Sequence, residues 1–456
     1  MQEIVPFVLG FWVLLSVVVF WLRPGRDAAI LLLIGGWALL PVAVYPSVVS
    51  IRPPGTGGSM HALALPTVML ANKAVAIGLG CLAGMLLTAW PLIREVRFSR
   101  LDLPMAIWCL TPLASALANG LPPSWGLAQA RYLGLAWGVP YVVGRVYLGD
   151  NVSLVKFGRG WVLAGLASSP FCLAEFVAGP FLYGWIYGSH PYQVEGAQRP
   201  FLYRPLLLLE HGNQLGMWVA TVAVAAVWLR LSGQLKMVAG LPGGAVAIGL
   251  VMIALICQSH GSIALMLGVF ALVWLLPRTS RRPAPWLVGA SSALLAIVGT
   301  TAESKASGLG GLRDRTRDLF LGAGKQSFTW RLARVEELLS RALQTPLLGR
   351  GSPNWSLAAG GAFVNPVNLG LWLVVLGTYG LVGLLASTLA LVLPIAEVVK
   401  WLPPRSWLNP TCAGVTLAAA LLTIHAIDSL FNSVFLLPLL AGAGGLVTWS
   451  QRRYEA

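Results

Sequence analysis

The chain has 456 residues, of which 57% are hydrophobic and only 10% are charged, and its formal net charge is +15. A soluble protein carries about 25% charged residues, so this composition excludes an ordinary soluble domain. Apolar runs of roughly 20 residues, enough to cross a bilayer, recur along the chain without period-two alternation. We therefore predict an all-α polytopic membrane protein, with its positive charge in cytoplasmic loops rather than on a nucleic-acid surface.

The apolar runs predict about 12 or 13 transmembrane helices. Residues 1–300 would form an N-terminal transmembrane bundle of about ten spans. Residues 301–365 would form an extracytoplasmic loop, and residues 366–456 the C-terminal transmembrane helices. The run at 366–398 is too long for one upright helix, so it predicts either a tilted helix or a helix broken at a glycine near Gly380.

The N-terminal run has no basic segment before it and no small-residue cleavage site after it, which favours a retained first span over a signal peptide. The five cysteines all fall in apolar runs, where a cysteine behaves as a small hydrophobic residue. They show neither a disulfide framework nor metal-ligand spacing, so we expect no metal and no cofactor. These cysteines are Cys81, Cys109, Cys172, Cys257 and Cys412.

Basic residues cluster in alternate connections between the predicted spans, beginning with Arg23 and Arg26 after the first. The positive-inside rule places these connections in the cytoplasm, as in a multi-pass protein of the inner (cytoplasmic) membrane. The remaining connections would then lie outside, and they carry most of the unexpected polar clusters. They are 49–67, 179–205, 258–262, 301–365 and 428–432.

The segment "RPFLYRPLLLLEHGNQLGMW" at 199–218 concentrates charge immediately before an apolar span predicted at 206–229. An unpaired charge at such a position would be costly. Arg204 would either extend to the membrane interface or, together with Arg199, bind an anionic ligand such as a lipid-linked pyrophosphate. Three other charged residues fall in or near predicted spans: we interpret Glu175 and Arg131 as pairing with other residues of the bundle and Lys73 as extending to the interface.

The long loop contains "SFTWRLARVEELLSRALQTPLLGRGSPNW", which predicts a helix with Ser327 as N-cap and Pro346 as its end. Three arginines share one face about 80° wide, and their planar guanidinium groups suit phosphate or carboxylate oxygens. The alternative is a solvated surface helix in which Arg341 pairs with Glu337. The three arginines are Arg331, Arg334 and Arg341.

Two stretches resemble the O-antigen ligase and O-antigen polymerase superfamily. "RPLLLLEHGNQLGMW" is similar to its Arg…Asn-x-Leu-Gly pattern, with Arg204 and Asn213 at the usual separation. The arginine helix, followed by Pro-Leu-x-Gly-x-Gly at 346–351 and Gly-Leu-x-Gly at 380–383, is similar to its most recognisable region. The resemblance covers roughly residues 195–390.

The resemblance implies a helical membrane glycosyltransferase that takes a glycan from an undecaprenyl-pyrophosphate carrier and needs neither metal nor nucleotide. Its partners would be that carrier, a glycan or lipid acceptor and membrane lipids, but no nucleic acid. Arginines would hold the pyrophosphate leaving group, a role carried here to Arg204 and to Arg331 or Arg334. Further substrate-binding candidates are Arg199, Glu210, Asn213, Arg341, Arg350, Asn368 and Asp428.

One position departs from the superfamily. The histidine that the ligases use as a base corresponds here to Leu369, beside Asn368. Transfer to a sugar hydroxyl usually needs a positioned base, and His211 is our first candidate because it lies close to Arg204 and Asn213 in the sequence. The alternative for His211 is an interfacial histidine with a backbone partner. Other candidate bases are Glu210, Glu336 and His260.

Asp428 and Asn432 are spaced i, i+4 at a predicted outer boundary, as either a functional pair or turn caps. Two other functions stay open. A transporter or flippase for an anionic lipid-linked substrate would explain the spans and arginines without a base, although we find no paired halves. A non-catalytic scaffold of the same superfamily would explain the missing histidine.

Overall fold

The structure is a computed structural model, and it describes residues 4–42, 71–188, 190, 197–199, 201–275, 335, 338–352, 355, 370–433 and 435–455. Three predicted site residues, Arg331, Arg334 and Asn368, lie outside these residues, as does the candidate base Glu336. Most of the loop predicted at 301–365 and the span predicted at 285–300 also lie outside them.

The described chain is mostly helical, and its strands are one antiparallel pair of two-residue segments, β1 (Met237–Val238) and β2 (Leu241–Pro242). The helices are α1 (Ile4–Leu22), α2 (Gly25–Leu39), α3 (Lys73–Thr88), α4 (Trp90–Glu95), α5 (Leu103–Ala118), α6 (Pro123–Leu133), α7 (Val139–Tyr147), α8 (Asn151–Ala178), α9 (Leu182–Tyr187), α10 (Gly212–Leu231), α11 (Gly243–Ile256), α12 (His260–Leu275), α13 (Leu371–Trp401), α14 (Ala413–Asp428) and α15 (Leu439–Glu455).

Five helical stretches are long and apolar enough to cross a membrane: α1, Arg100–Ala118 (which includes α5), α8, α10 and α13. Four shorter helices, α3, α11, α12 and α14, are also apolar. A π-helical segment at Gly134–Gly138 joins α6 to α7. The chain is therefore an all-α protein with the helices of a multi-pass membrane protein.

Two predicted element boundaries change in the structure. The span predicted from 206 begins only at Gly212, because Leu206 and Leu207 donate their backbone N–H groups to a side chain rather than to a helix. The long apolar run forms α13, which is broken at Gly380, where φ is 67° and ψ is −165°. The broken-helix alternative is thus the one that the structure adopts.

One apolar core runs through the described helices, from Val5 in α1 to Trp449 in α15. The C-terminal helices pack within the N-terminal bundle: α13 contacts α5, α14 contacts α8 and α10, and α15 contacts α7. Trp161 and Trp218 are among its largest fully buried side chains, with ring centroids 4.6 Å apart. All five cysteines are free, and four of them are buried.

A buried ion pair fixes α7 against its neighbours. Arg145 contacts Asp102 through Nε at 3.0 Å and Nη2 at 3.1 Å, and Tyr141 donates to the same carboxylate at 2.7 Å. Arg145 Nη1 also donates to Thr448 at 2.8 Å and Gln451 at 2.7 Å on α15. Because both charges are extensively hydrogen-bonded, these contacts offset the free-energy cost of removing the two ions from water.

Candidate functional site

The N-terminus of α10 organises the candidate site. His211 is its N-cap, and the Nδ1 atom of the ring accepts the backbone N–H of Asn213 at 3.0 Å. The side chain of Gln214 folds back and accepts the backbone N–H of Glu210 at 2.9 Å. Glu210 and His211 of the predicted charged cluster thus lie at one helix terminus, where the helix dipole favours anions.

Arg204 lies against this first turn and is buried. Its Nη2 atom donates to Asn213 Oδ1 at 2.5 Å, and its backbone N–H donates to Ala197 at 2.6 Å. Gly212 leaves room for the guanidinium, since a Cβ atom at this position would lie 2.4 Å from Arg204 Nε. Arg204 and Asn213, which belong to one motif of the resembled superfamily, are therefore in direct contact.

The contact continues into α14. Asn213 Nδ2 donates to Asn432 Oδ1 at 3.4 Å, and Asn432 Nδ2 donates to Asp428 Oδ1 at 2.7 Å. Asp428 is the last residue of α14 and is buried. Arg204, Asn213, Asn432 and Asp428 therefore form one polar row, which unites two sequence clusters more than 200 residues apart.

Glu175 on α8 fixes the segment that carries Arg204. Its side chain is fully buried and accepts four backbone N–H groups. Oε1 accepts those of Phe181 and Leu182 at 3.1 and 2.9 Å, and Oε2 accepts those of Leu206 and Leu207, both at 2.8 Å. Leu207 has a positive φ of 52°, a backbone conformation that the surrounding bonds must hold.

A second pair of charged residues, Lys73 and Glu210, includes the residue that precedes the N-cap of α10. Lys73, the first residue of α3, is buried, and its Nζ atom lies 4.2 Å from the ring centroid of Trp37. Its charge interacts with that of Glu210, which also faces Tyr132 of α6. Burial raises the pKa of the Glu210 carboxyl, and the positive charge of Lys73 opposes this rise.

The Pro-Leu-x-Gly-x-Gly segment, residues 346–351, lies along the break in α13, and we call it the strap. At Gly380 the broken helix frees backbone groups that bond to the strap: Leu381 N–H donates to Pro346 at 2.7 Å, and Gly351 N–H donates to Thr378 at 2.8 Å. A Cβ atom at Gly380 would lie 2.3 Å from the carbonyl oxygen of Leu347. The two glycine motifs of the sequence are thus two halves of one contact.

Side chains from α5 and α6 hold the other side of the strap. Asn119 donates to the carbonyl of Gly349 at 2.8 Å, and Trp125 Nε1 donates to that of Gly351 at 2.9 Å. Ser115 donates to the carbonyl of Leu348. The strap follows a short helical segment at 338–342 whose apolar residues pack on α13, so it fixes the end of the arginine-bearing region.

The structure also describes three other predicted residues, of which Arg199 and Arg350 bond to partners outside the polar row. Arg199 is exposed in a tight turn, where its backbone N–H donates to Leu202 at 3.0 Å. Arg350 is exposed on the strap and donates to Gln344 Oε1 at 2.5 Å. Arg341 is half-buried, next to the buried Ala342.

The sequence interpretation missed the roles of Lys73 and Glu175. Lys73 is buried rather than extended to an interface. Glu175 does pair within the bundle, and its partners are backbone N–H groups that hold the segment carrying Arg204. The available signal was a charged residue inside or beside an apolar run, which is by default a functional hypothesis. Comparison with known proteins adds no family: no protein-family model matches the chain, and no curated protein matches it.

Proposed function

We propose that the chain is a membrane glycosyltransferase of the O-antigen ligase and polymerase type. It would move a glycan from an undecaprenyl-pyrophosphate carrier to a glycan or lipid acceptor in cell-surface polysaccharide assembly. The observation that carries this proposal is the polar row of Arg204, Asn213, Asn432 and Asp428. It supplies a buried cation, neutral amides and a carboxylate at the terminus of an apolar helix.

Arg204 would bind the pyrophosphate. Its planar guanidinium offers a fork of donors, Asn213 orients the group, and the N-terminus of α10 adds a favourable dipole. As the bond to the sugar breaks, negative charge grows on the departing phosphate oxygen, where this fixed cation stabilises it. Arg331 or Arg334 would supply a second guanidinium from the long loop.

Asp428 and Asn432 would bind sugar hydroxyls on the opposite side of the row, since carboxylate and amide groups hydrogen-bond to hydroxyls. In this proposal the site opens on the extracytoplasmic side of the inner membrane, where the lipid-linked glycan is exposed. The full chain would have about 12 or 13 transmembrane helices, with the loop at 301–365 on the extracytoplasmic side.

Replacing Arg204 by Ala should lower the rate of transfer about 100-fold or more, because removing one preorganised donor to a developing oxyanion typically costs 10²–10³. Arg204→Lys should recover only part of the rate, since an ammonium keeps the charge but loses the planar fork. The measurement is release of lipid pyrophosphate from a radiolabelled undecaprenyl-pyrophosphate glycan by purified protein with candidate acceptors.

Arg405→Ala is the matched control, because Arg405 is exposed in the turn that follows α13, and it should keep the wild-type rate. An unchanged rate in Arg204→Ala, with wild-type protein active, would remove the pyrophosphate role of Arg204. Failure of the wild-type protein to release pyrophosphate with any acceptor would remove the proposed function.

A transporter of the same lipid-linked substrate is the second candidate, and the break in α13 favours it, because discontinuous helices form substrate sites in many transporters. Reconstituted vesicles distinguish the two. A transporter would move the labelled lipid between leaflets and leave its glycosidic bond intact, whereas a transferase would release the lipid pyrophosphate.

A further inference from the structure

Two exposed apolar side chains lie in the turn that precedes Arg204. Phe201 is 75% exposed and Leu202 is 51% exposed, whereas Arg204, two residues after Leu202, is buried. The turn is narrow: the backbone N–H of Arg199 donates to Leu202 at 3.0 Å, and that of Arg204 donates to Ala197 at 2.6 Å. We call Phe201 and Leu202 the apolar tip. Because both side chains are exposed, packing within the chain does not account for apolar residues here.

The backbone that presents the apolar tip is strained. Leu202 has a φ of 57°, in the left-handed region that is unfavourable for most side chains and is adopted most readily by glycine, asparagine and aspartate. Gln258, between α11 and α12, has a φ of 50°, and its Nε2 atom donates to the carbonyl of Phe201 at 2.8 Å. Asparagine would adopt the backbone of Leu202 at lower cost. The leucine side chain therefore contributes something that a small polar side chain cannot.

The apolar tip is fixed to the ends of two apolar helices. The backbone N–H of Tyr203 donates to Phe176 at 3.0 Å, in the last turn of α8, and Gln258 follows α11 directly after its C-cap. Both helices carry exposed apolar residues near these ends, Val177 in α8 and Leu255 in α11. Since α8 is long and apolar enough to cross a membrane, such residues face lipid chains. The apolar tip therefore extends a lipid-facing surface beyond the helix ends.

Other residues at this end of the bundle suit the boundary between membrane and water. Trp185 of α9 is exposed, and tryptophan is typical of that boundary. Arg199 is exposed in the turn, where an arginine side chain can reach lipid phosphates while its stem stays in apolar surroundings. The Cα atoms of Leu202 and Arg204 can lie at most about 7 Å apart. That distance is close to the thickness of one headgroup layer, roughly 5–8 Å.

We propose that the apolar tip inserts into the hydrocarbon of the adjacent membrane leaflet and binds lipid chains there, with Arg199 among the anionic headgroups. Bilayer lipid fits better than a second copy of the chain, because two side chains offer far less surface than the roughly 800 Å² that each partner of a stable interface buries. Insertion places Arg204 at the level of the lipid phosphates. It does not depend on transfer chemistry, so it can be measured whether or not the chain is a transferase.

The experiment attaches a nitroxide spin label at Phe201→Cys in the full chain, reconstituted in vesicles of phosphatidylcholine and phosphatidylglycerol. It measures collisions of the label with oxygen, which concentrates in hydrocarbon, and with a water-soluble nickel chelate. We expect collisions with oxygen to dominate, as they should for a label at Val177→Cys on the lipid-facing side of α8. A label at Glu455→Cys is the aqueous control, since this residue lies at the exposed end of α15. Labelled wild-type protein gives the background of Cys109, the one native cysteine that is not buried.

Two results would overturn the proposal. If collisions with the nickel chelate dominate at residue 201, as at residue 455, the apolar tip lies in water. If the label collides little with either reagent, protein covers the apolar tip, and a second copy of the chain replaces lipid as its partner.

A second variant, Leu202→Asn, separates lipid contact from folding. Because asparagine adopts the left-handed backbone more readily than leucine, its unfolding temperature in detergent should equal or exceed that of wild type. With the label at Phe201→Cys, the ratio of oxygen to nickel collisions should fall at least about twofold, since one of the two inserted side chains becomes polar. An unchanged ratio would overturn the proposal. A lower unfolding temperature would show that Leu202 stabilises the fold itself, which would remove the reason for assigning it to lipid.

Discussion

Replacing Glu175 by Gln should destabilise the protein by about 3 kcal/mol or more, because an amide cannot accept the four N–H groups that the carboxyl oxygens accept. Its NH₂ group would face two backbone donors, either those of Phe181 and Leu182 or those of Leu206 and Leu207. Two of the four buried N–H groups would then lose their acceptor. Thermal unfolding of the purified protein in detergent measures the effect.

Under the proposed transferase function, the same variant should also lower the rate of transfer, since the segment that Glu175 fixes carries Arg204. If the variant stays folded near room temperature but loses activity, the segment that carries Arg204 has been displaced while the helical bundle remains intact. Glu455→Gln serves as control and should change stability by less than about 1 kcal/mol, as exposed ion pairs contribute little. An unfolding temperature of Glu175→Gln equal to that of wild type would contradict the proposed role of Glu175 in holding the two backbone segments.

Replacing Gly380 by Ala should have the second large effect. With φ at 67° and ψ at −165°, Gly380 occupies a region that is nearly exclusive to glycine and costs other residues about 1–3 kcal/mol. The added Cβ would also lie 2.3 Å from the carbonyl oxygen of Leu347 and 2.5 Å from the backbone nitrogen of Gly349. Since those atoms belong to the strap, we expect the strap to separate from α13, with a loss of stability and of transfer.

Gly249→Ala is a matched control within a helix. Nothing lies within 4 Å of a Cβ atom added at Gly249, and the residue is interior to α11. Because alanine favours a helix over glycine by roughly 0.5–1 kcal/mol, this variant should be neutral or slightly more stable. Limited proteolysis after residues 341 and 350 would report detachment of the strap in Gly380→Ala. Equal cleavage in both variants would contradict the predicted detachment.

The sequence was sufficient for the class of fold and for part of the site. Hydropathy alone identified an all-α membrane protein, because in lipid every backbone group must be satisfied within helices. The resemblance placed Arg204 and Asn213 in one motif, and the structure brings the two side chains into contact. The glycines near 380 marked a possible break, since only glycine adopts the backbone conformation found there.

Other contacts of the site could not be predicted, because no pattern in the sequence indicates them. The leucines at 206–209 resemble the start of a span, yet Pro205 and the carboxylate of Glu175 hold them in a buried loop. The partners of Glu175 are backbone N–H groups, which are the same for every residue type except proline. The meeting of Asn213 with Asn432 depends on how α10 and α14 pack, and no local periodicity specifies that contact.

The four backbone N–H groups that Glu175 accepts determine where this region can tolerate changes in length. One carboxylate holds chain positions 181–182 and 206–207, and thereby closes the intervening loop at its base. Each doubling in the length of a closed loop adds only about 0.6 kcal/mol of entropic cost. Insertions between residues 191 and 196, beyond the buried tyrosines of α9, should therefore leave the base of the loop in register. Such insertions would change the length of the loop while Glu175, Arg204 and the start of α10 keep their places.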